Sequence, residues 1–270
     1  MQVGRYRVSL HNHGFFRLDG GAMFGSVPKA LWDREAPADE QNRILLATRS
    51  LIVEDGSRKL IVDLGCGDKW NEKSRSIFCI EDGPYQPVAG VTDVLLTHLH
   101  FDHAGGISRF GEKGIEPCYP GAVHFVGRDN YENAKAPNVR EKASYLPENV
   151  DAVAMVSHRF TEDGDEVWPG IAVHQANGHT RGLQWVKVSD GGITIVFPAD
   201  LIPTSKHLPL PFVMGYDICA ERALAEKETF TANAVAEGWI VVFEHDPVLG
   251  AAKVAFDDRG RAVVAEPVEL

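Results

Sequence analysis

Residues 97–106 read Thr-His-Leu-His-Phe-Asp-His-Ala-Gly-Gly, and this decapeptide determines most of what the sequence predicts. It brings three imidazoles and one carboxylate close together along the chain: His98, His100, Asp102 and His103. Histidine is the commonest metal ligand in proteins, and imidazole together with carboxylate suits zinc and similar ions. The decapeptide therefore predicts a metal site.

The residues around the decapeptide indicate where the metal site lies in the fold. Residues 91–96, which precede it, form a short apolar run of the kind that is typical of a buried strand. Gly105 and Gly106, which end it, allow the backbone to turn tightly into a helix. The histidines are therefore expected in a loop at the carboxyl end of a strand, where α/β folds place their sites.

One loop cannot complete such a site, because a catalytic zinc takes about three protein ligands and a pair of metals needs about six. Three further predicted strands end on suitable side chains. These are His179 after the run 171–176, Asp200 after the run 193–199, and His245 after the run 239–243. We expect all of these side chains to converge on one site.

The order and spacing of these residues resemble those of the metallo-β-lactamase-fold hydrolase superfamily. The matching motifs are residues 60–65, His98-x-His100-x-Asp102-His103, Gly178-His179-Thr180, Ala199-Asp200 and Glu244-His245. The resemblance covers most of the chain. It implies the α/β class and, within it, a four-layer αβ/βα sandwich, with residues 1–270 as a single hydrolase domain.

The resemblance also implies a role for each candidate ligand. The first metal would be held by His98, His100 and His179, the second by Asp102, His103 and His245, and Asp200 would bridge them. Asp63 would support the ligands from behind. The implied cofactor is a pair of divalent metal ions, with zinc preferred and iron or manganese as alternatives.

The implied reaction is hydrolysis of an ester-like bond, with a lactone preferred. A hydroxide between the two metals would attack the carbonyl carbon, and Asp102 or Asp200 would act as a catalytic group that passes a proton to the leaving group. Three alternatives stay open. They are a phosphodiesterase or phosphotriesterase, a β-lactamase-like activity, and an iron-dependent persulfide dioxygenase.

Differences from other branches of the family favour the lactonase and organophosphate-hydrolase branch. Classical zinc β-lactamases usually carry a secretory signal, which the first residues of this sequence do not predict. Glyoxalase II has a C-terminal helical domain, whereas only 25 residues follow His245. Flavin-linked diiron relatives replace the second histidine of the loop with glutamate, whereas His100 is present here.

Five side chains are predicted to contact the substrate. Phe16, Met23 and Phe24 lie in an apolar, glycine-punctuated stretch that suits a wall for an acyl chain. His207 and Tyr216 lie in the stiff, proline-rich loop that follows the predicted bridging ligand. An ordinary packing role stays open for each of them.

Periodicity predicts several elements outside the ligand motifs. Residues 6–10 are expected to form the first strand, followed by the apolar stretch over residues 14–25. Residues 141–157 are expected to be helical, with an interruption at Pro147. The clearest helix is predicted over residues 220–237, where apolar side chains recur at helical spacing above a charged face.

Composition restricts the partners. The formal net charge of −11 disfavours a nucleic acid or an anionic membrane, since both need a basic surface. No apolar run approaches the length of a membrane span, and the four cysteines are scattered, as is typical of reduced thiols. We therefore expect a cytoplasmic enzyme that acts on a small molecule, with a homodimer left open.

Overall fold

Two seven-stranded sheets form the middle of the structure, a computed structural model that describes residues 1–80, 85–112 and 114–270. The strands of the first sheet, in spatial order, are β1 (Gln2–Val3), β2 (Tyr6–Asp19), β3 (Arg43–Glu54), β4 (Lys59–Val62), β5 (Asp93–Leu96), β8 (Val123–Gly127) and β9 (His158–Thr161). Those of the second are β10 (Glu166–Trp168), β11 (Ile171–Ala176), β12 (Leu183–Asp190), β13 (Ile193–Phe197), β14 (Ile240–Val242), β15 (Ala251–Phe256) and β16 (Ala262–Pro267). A separate ribbon pairs β6 (Ser108–Gly111) with β7 (Gly114–Pro117).

Short helices and one long helix cover the sheets. The α-helices are α1 (Gly20–Phe24), α2 (Lys29–Trp32), α3 (Glu72–Phe78), α4 (Phe101–Ala104), α5 (Arg128–Lys135), α6 (Pro147–Ala152) and α7 (Ala220–Glu237). Helix α7 has the predicted bounds: it buries Ala223, Phe230 and Ala234 on one face and ends at Gly238, which adopts the left-handed conformation that favours glycine. No helix among the described residues is long and apolar enough to cross a membrane.

Three apolar layers separate the sheets and helices. The central layer contains side chains from the inner faces of both sheets, such as Leu95 of β5 and Val186 of β12. A second layer lies between the first sheet and α5 and α6, and a third between the second sheet and α7. The order helix, sheet, sheet, helix confirms the predicted four-layer αβ/βα sandwich.

The structure corrects two predicted elements. The strand that was predicted over residues 6–10 is β2 in the structure. It does not end at residue 10 but continues through most of the apolar stretch, to Asp19, with a bulge between Asn12 and Phe15. The predicted helix over residues 141–157 is a series of short turns, and Pro147 begins α6 instead of interrupting a helix. Proline is tolerated at a first helical position because its missing N–H has no intrahelical partner there.

Gly105 has a different function from the one predicted. Its backbone is ordinary right-handed helix, so no tight turn requires a glycine there. A Cβ at Gly105 would lie 2.1 Å from the carbonyl carbon of Cys66, and one at Gly67 would lie 2.2 Å from the carbonyl oxygen of Gly105. The glycines therefore allow the segment after the histidines to press against the backbone that follows β4.

The carboxyl ends of five strands position the candidate site: β4 and β5 in the first sheet, and β11, β13 and β14 in the second. Strands β4 and β5 run parallel, as do β13 and β14, and β11 has the direction of β13 because each pairs antiparallel with β12. Two residues just beyond strand ends adopt positive φ angles, Asp63 at 60° and Ala199 at 49°. Ala199 is the more strained of the two, because alanine has no polar side chain to compensate, and it immediately precedes Asp200.

Candidate metal centre

The seven predicted ligands lie together at the strand ends. Within each of two groups, one ligand atom per residue lies within 4.8 Å of every other: His98, His100, His179 and Asp200 form the first, and Asp102, His103 and His245 the second. All seven side chains are buried. Four segments that are distant in sequence therefore meet in one cluster, as their positions after strands predicted.

Asp200 contacts both groups through its two carboxylate oxygens. Oδ2 lies 3.1 Å from Nε2 of His179 and 3.5 Å from Nε2 of His103. Oδ1 lies 3.2 Å from Nε2 of His245 and has no hydrogen-bond partner among the described residues. This carboxylate therefore lies between the two groups.

Hydrogen bonds outside the cluster fix the protonation of His98. Thr97 Oγ1 donates to Asp63 Oδ2 at 2.6 Å, so it can accept a hydrogen bond from His98 Nδ1 at 3.1 Å. The proton of His98 is thereby placed on Nδ1. Its Nε2 faces the cluster with a lone pair, 3.0 Å from Nδ1 of His100.

In three other histidines of the cluster, Nδ1 also faces away from the cluster and donates a hydrogen bond. His103 Nδ1 donates to Asp63 Oδ2 at 2.9 Å, His179 Nδ1 to Asp217 Oδ1 at 2.9 Å, and His245 Nδ1 to the carbonyl of Ala47 at 2.8 Å. Each Nε2 points inward, and those of His103 and His245 are 3.2 Å apart. Two ring nitrogens this close need a proton shared between them or a cation beside them.

The charges in the cluster also favour a cation. Burial opposes ionisation of Asp200, but the neighbouring imidazoles outweigh it and hold the pKa of this carboxyl well below its usual range. Burial lowers the pKa of His179 and His245, yet Asp200 outweighs it and raises them to about 10 and about 9. The cluster thus attracts positive charge, and its five imidazoles and two carboxylates fit divalent ions.

Asp63 lies behind the cluster and anchors two of its parts. Its carboxylate accepts from the backbone N–H and hydroxyl of Thr97 at 2.7 and 2.6 Å, and from Nδ1 of His103. Glu244 approaches the same nitrogen, with Oε2 3.1 Å from Nδ1, and burial raises the pKa of this carboxyl to about 8. Nδ1 of His103 therefore faces two buried carboxyl groups.

Substitution Asp63→Asn is expected to weaken metal binding about 10- to 100-fold, because the neutral amide no longer fixes the proton of His103 on Nδ1. Metal affinity is measured by competition with a chromophoric chelator. Asp93→Asn is the matched control, since Asp93 is also buried but accepts its hydrogen bond from Thr92. Equal affinities in wild type and Asp63→Asn would contradict this role of Asp63.

A cavity of about 290 Å³ opens onto the cluster. Its polar part includes ligand candidates, among them His100, Asp102 and His245. Its apolar wall is formed by Leu18, Met23, Leu46, Phe78, Phe101 and Met214. A mostly apolar cavity with a few convergent polar groups is typical of a site for a small organic molecule.

Two of the five predicted substrate-contacting residues line this cavity, Met23 and Tyr216. Phe16, Phe24 and His207 do not, so the prediction of direct contact is corrected for them. Phe16 is buried behind the wall, edge-on to the ring of His245. Phe24 stacks on His207, whose Nε2 bonds to the carbonyl of Met23 at 2.9 Å. These three side chains support the wall instead of forming its surface.

Several residues at the site were not predicted. Asp217 orients His179, Arg140 and Glu141 line the cavity, and the Tyr145 ring lies edge-on to His100 at 4.7 Å. None of them belongs to a local motif. In the sequence, the only indication of these site residues was a polar side chain in a loop between two apolar runs.

Comparison with known proteins assigns a family to this architecture. A family model described as the metallo-beta-lactamase superfamily matches residues 43–257. An N-acyl homoserine lactonase of Bacillus sp is 27% identical over 181 residues, 66% of this chain and 64% of the relative. The chain therefore spans somewhat less than two thirds of the length of that relative.

Solved structures agree with the four-layer fold. A probable metal-dependent hydrolase from Staphylococcus aureus is 28% identical, with a TM-score of 0.86 over 99% of this chain and 100% of the other. AidC, a dizinc quorum-quenching lactonase solved with a product, is 18% identical, with a TM-score of 0.79 over 100% of this chain and 97% of the other. At that identity, the second likeness concerns the fold alone.

Proposed function

The chain belongs to the metallo-β-lactamase superfamily, and on this premise we propose that it is a metal-dependent hydrolase with a dinuclear centre that opens lactones. Residues 1–270 would act as a single hydrolase domain. The observation that carries the proposal is the inward orientation of four imidazole Nε2 atoms around the shared carboxylate of Asp200.

The ligands divide between two positions. His98, His100 and His179 would hold one ion, Asp102, His103 and His245 the other, and Asp200 would contact both. When bound, two divalent ions, for which zinc is our preference, make a water molecule reactive at neutral pH and polarise the bond to be cleaved.

The residues of the chain supply positioning and proton transfer. The outward hydrogen bonds of the imidazoles hold the ligands in place before substrate arrives, which removes reorganisation from the reaction step. Burial raises the pKa of Asp102, whose Oδ2 lies 3.7 Å from His245 Nε2. We propose that Asp102 or Asp200 accepts a proton from the attacking water and delivers it to the alkoxide oxygen that leaves the ring.

The apolar wall of the cavity favours a lactone with an acyl chain as the substrate. Leu18, Met23 and Met214 lie on the same cavity as the ligand candidates, so an apolar tail can be buried while the ring carbonyl faces the metals. Relatives named as N-acyl homoserine lactonases favour the same substrate class. The substrate is therefore proposed as a small lactone, with no nucleic acid or membrane as partner.

A substrate panel on protein of measured metal content tests the proposal. We expect lactones to be hydrolysed faster than phosphodiesters, phosphotriesters, thioesters and β-lactams. Faster hydrolysis of a phosphoester would replace the lactone by the phosphodiesterase or phosphotriesterase alternative. Oxygen consumption with a persulfide, in protein that contains a single iron, would replace hydrolysis altogether.

Substitution Tyr216→Phe is expected to lower kcat/KM for lactones about tenfold, the usual cost of one hydrogen bond from a neutral hydroxyl. Burial raises the pKa of Tyr216 to about 12, so the phenol stays protonated and can donate to a substrate carbonyl. The loss should therefore be constant between pH 7 and pH 10, about two pH units below that pKa.

Steady-state kinetics across this pH range measure the effect of Tyr216→Phe. Tyr131→Phe is the control, because Tyr131 packs on Phe160 outside the cavity. Unchanged kcat/KM in Tyr216→Phe would show that the hydroxyl does not touch the substrate.

A further inference from the structure

Arg140 is the one positively charged side chain, other than the histidines, among the described residues that line the cavity. Its Nη2 donates to the carbonyl of Gly215, which also lines the cavity. No carboxylate of the described residues lies within 4.0 Å of its guanidinium nitrogens, whereas Arg109 and Arg128 each pair with a glutamate. The remaining guanidinium donors are therefore available to a ligand.

The segment that carries Arg140 is held firmly. Asn138 Oδ1 accepts from the backbone N–H of Arg140 at 2.9 Å and from that of Glu141 at 3.3 Å. Val139 is 97% exposed, and Arg140 is also exposed but lines the cavity, so its guanidinium lies where the cavity meets solvent. A side chain on such a fixed turn loses less freedom when it binds a ligand.

Glu141, the neighbouring carboxylate, does not pair with Arg140, because both of its oxygens are turned to neutral donors elsewhere. Oε1 accepts from the amides of Asn133 and Asn138 at 3.0 and 2.7 Å, and Oε2 accepts from Thr180 Oγ1 at 2.7 Å. The other two carboxylates on the cavity, Asp102 and Asp200, lie among the imidazoles of the cluster. Arg140 therefore has no ion-pair partner among the residues that the structure describes, and its guanidinium keeps donors beyond the one bonded to Gly215.

We propose that Arg140 binds a carboxylate carried by the substrate, which makes the preferred substrates lactones with an anionic substituent on the acyl chain. The proposal rests on the hydrolase function proposed above. Guanidinium presents a planar fork of N–H donors that matches a carboxylate, and charge-assisted hydrogen bonds are about twice as strong as neutral ones. A neutral acyl chain would use the apolar wall but leave the fork unpaired.

Two matched lactones test the proposal: one with a six-carbon N-acyl chain ending in methyl, the other with the same chain ending in a carboxylate. We expect wild type to favour the anionic lactone in kcat/KM by about tenfold or more. In Arg140→Gln, KM for the anionic lactone should rise by about the same factor, with kcat nearly constant. The neutral lactone should change less than about threefold.

Two further variants distinguish recognition of a substrate carboxylate by Arg140 from a role of Arg140 in holding the cavity wall in place. Arg140→Lys should keep part of the preference, since it retains the charge but loses the fork. Arg109→Gln, at an exposed arginine outside the cavity, should leave both substrates unaffected. An equal loss for both lactones in Arg140→Gln would mean that Arg140 only ties the wall at Gly215, and would overturn the proposal, as would the absence of a preference in wild type.

A binding measurement keeps this inference separate from the proposed function. If wild type hydrolyses neither lactone, the function is wrong, and calorimetric titration with the ring-free acyl amide that ends in a carboxylate then tests Arg140 alone. Binding to wild type and about tenfold weaker binding to Arg140→Gln would support recognition. Equal binding to both proteins, or none to either, would refute it.

Discussion

Asp200→Ala should lose at least about 1,000-fold in kcat, equivalent to about 4 kcal/mol of transition-state stabilisation. The carboxylate reaches both halves of the cluster, with oxygens 3.1 Å from His179 and 3.2 Å from His245. Alanine would leave inward-facing imidazoles with less negative charge to attract cations. We therefore expect lower metal content together with the loss of hydrolysis.

Kinetics and metal analysis of the same preparation measure both effects of Asp200→Ala. Asp93→Ala is the control, because it removes a buried carboxylate from the amino end of β5, the end of the strand opposite the cluster. Its folding can be compared with that of Asp200→Ala by circular dichroism. An Asp200→Ala protein that folds normally and retains a tenth of the wild-type activity would refute the role of this residue.

Removal of metal by a chelator is expected to abolish hydrolysis and to lower Tm by about 10 °C. A ligand that binds only the folded state at about 1,000 times its Kd stabilises it by about 4 kcal/mol, and about 1 kcal/mol corresponds to roughly 2–4 °C in a domain of this size.

Re-addition of zinc to the stripped protein is the control for chelation, since it should restore both Tm and activity. A calorimetric scan and a lactone assay provide the two readouts. Full activity in protein shown to lack metal would exclude metal-dependent hydrolysis. An unchanged Tm with lost activity would mean that the cations contribute to catalysis without stabilising the fold.

The positions of the candidate ligands could be predicted because they follow strands. Each candidate outside the decapeptide comes soon after a short apolar run, and the carboxyl ends of the strands meet along one edge of the two sheets. Helix α7 was predictable for a similar reason, since a single buried face repeats along its length. Local periodicity therefore predicted helix α7 and the positions of the ligands after strands, whereas the four-layer fold class was implied by the resemblance to the superfamily.

The cavity wall could not be predicted in the same way, because tertiary pairing decides it. Phe16 is turned behind the wall by the bulge between Asn12 and Phe15, which depends on how β2 pairs with β3. His207 is close to Asp200 in sequence, but a short helical turn over Ser205–His207 directs it to the carbonyl of Met23. Proximity along the chain did not predict proximity to the cluster.

Contacts between distant residues account for what was missed. Asp217 lies 38 residues from His179 in sequence, and Arg140 lies 75 residues from Gly215. Neither pair leaves a periodic or local pattern, so only the folded chain brings them together. The residues that orient a ligand or select a substrate were therefore less predictable than the ligands themselves.

Anomalous diffraction at the zinc edge, from crystals grown with zinc, tests the dinuclear centre most directly. The account predicts two anomalous peaks, one among His98, His100 and His179 and the other among Asp102, His103 and His245, with Asp200 in contact with both. A single peak in one group, or peaks only outside the cluster, would contradict it.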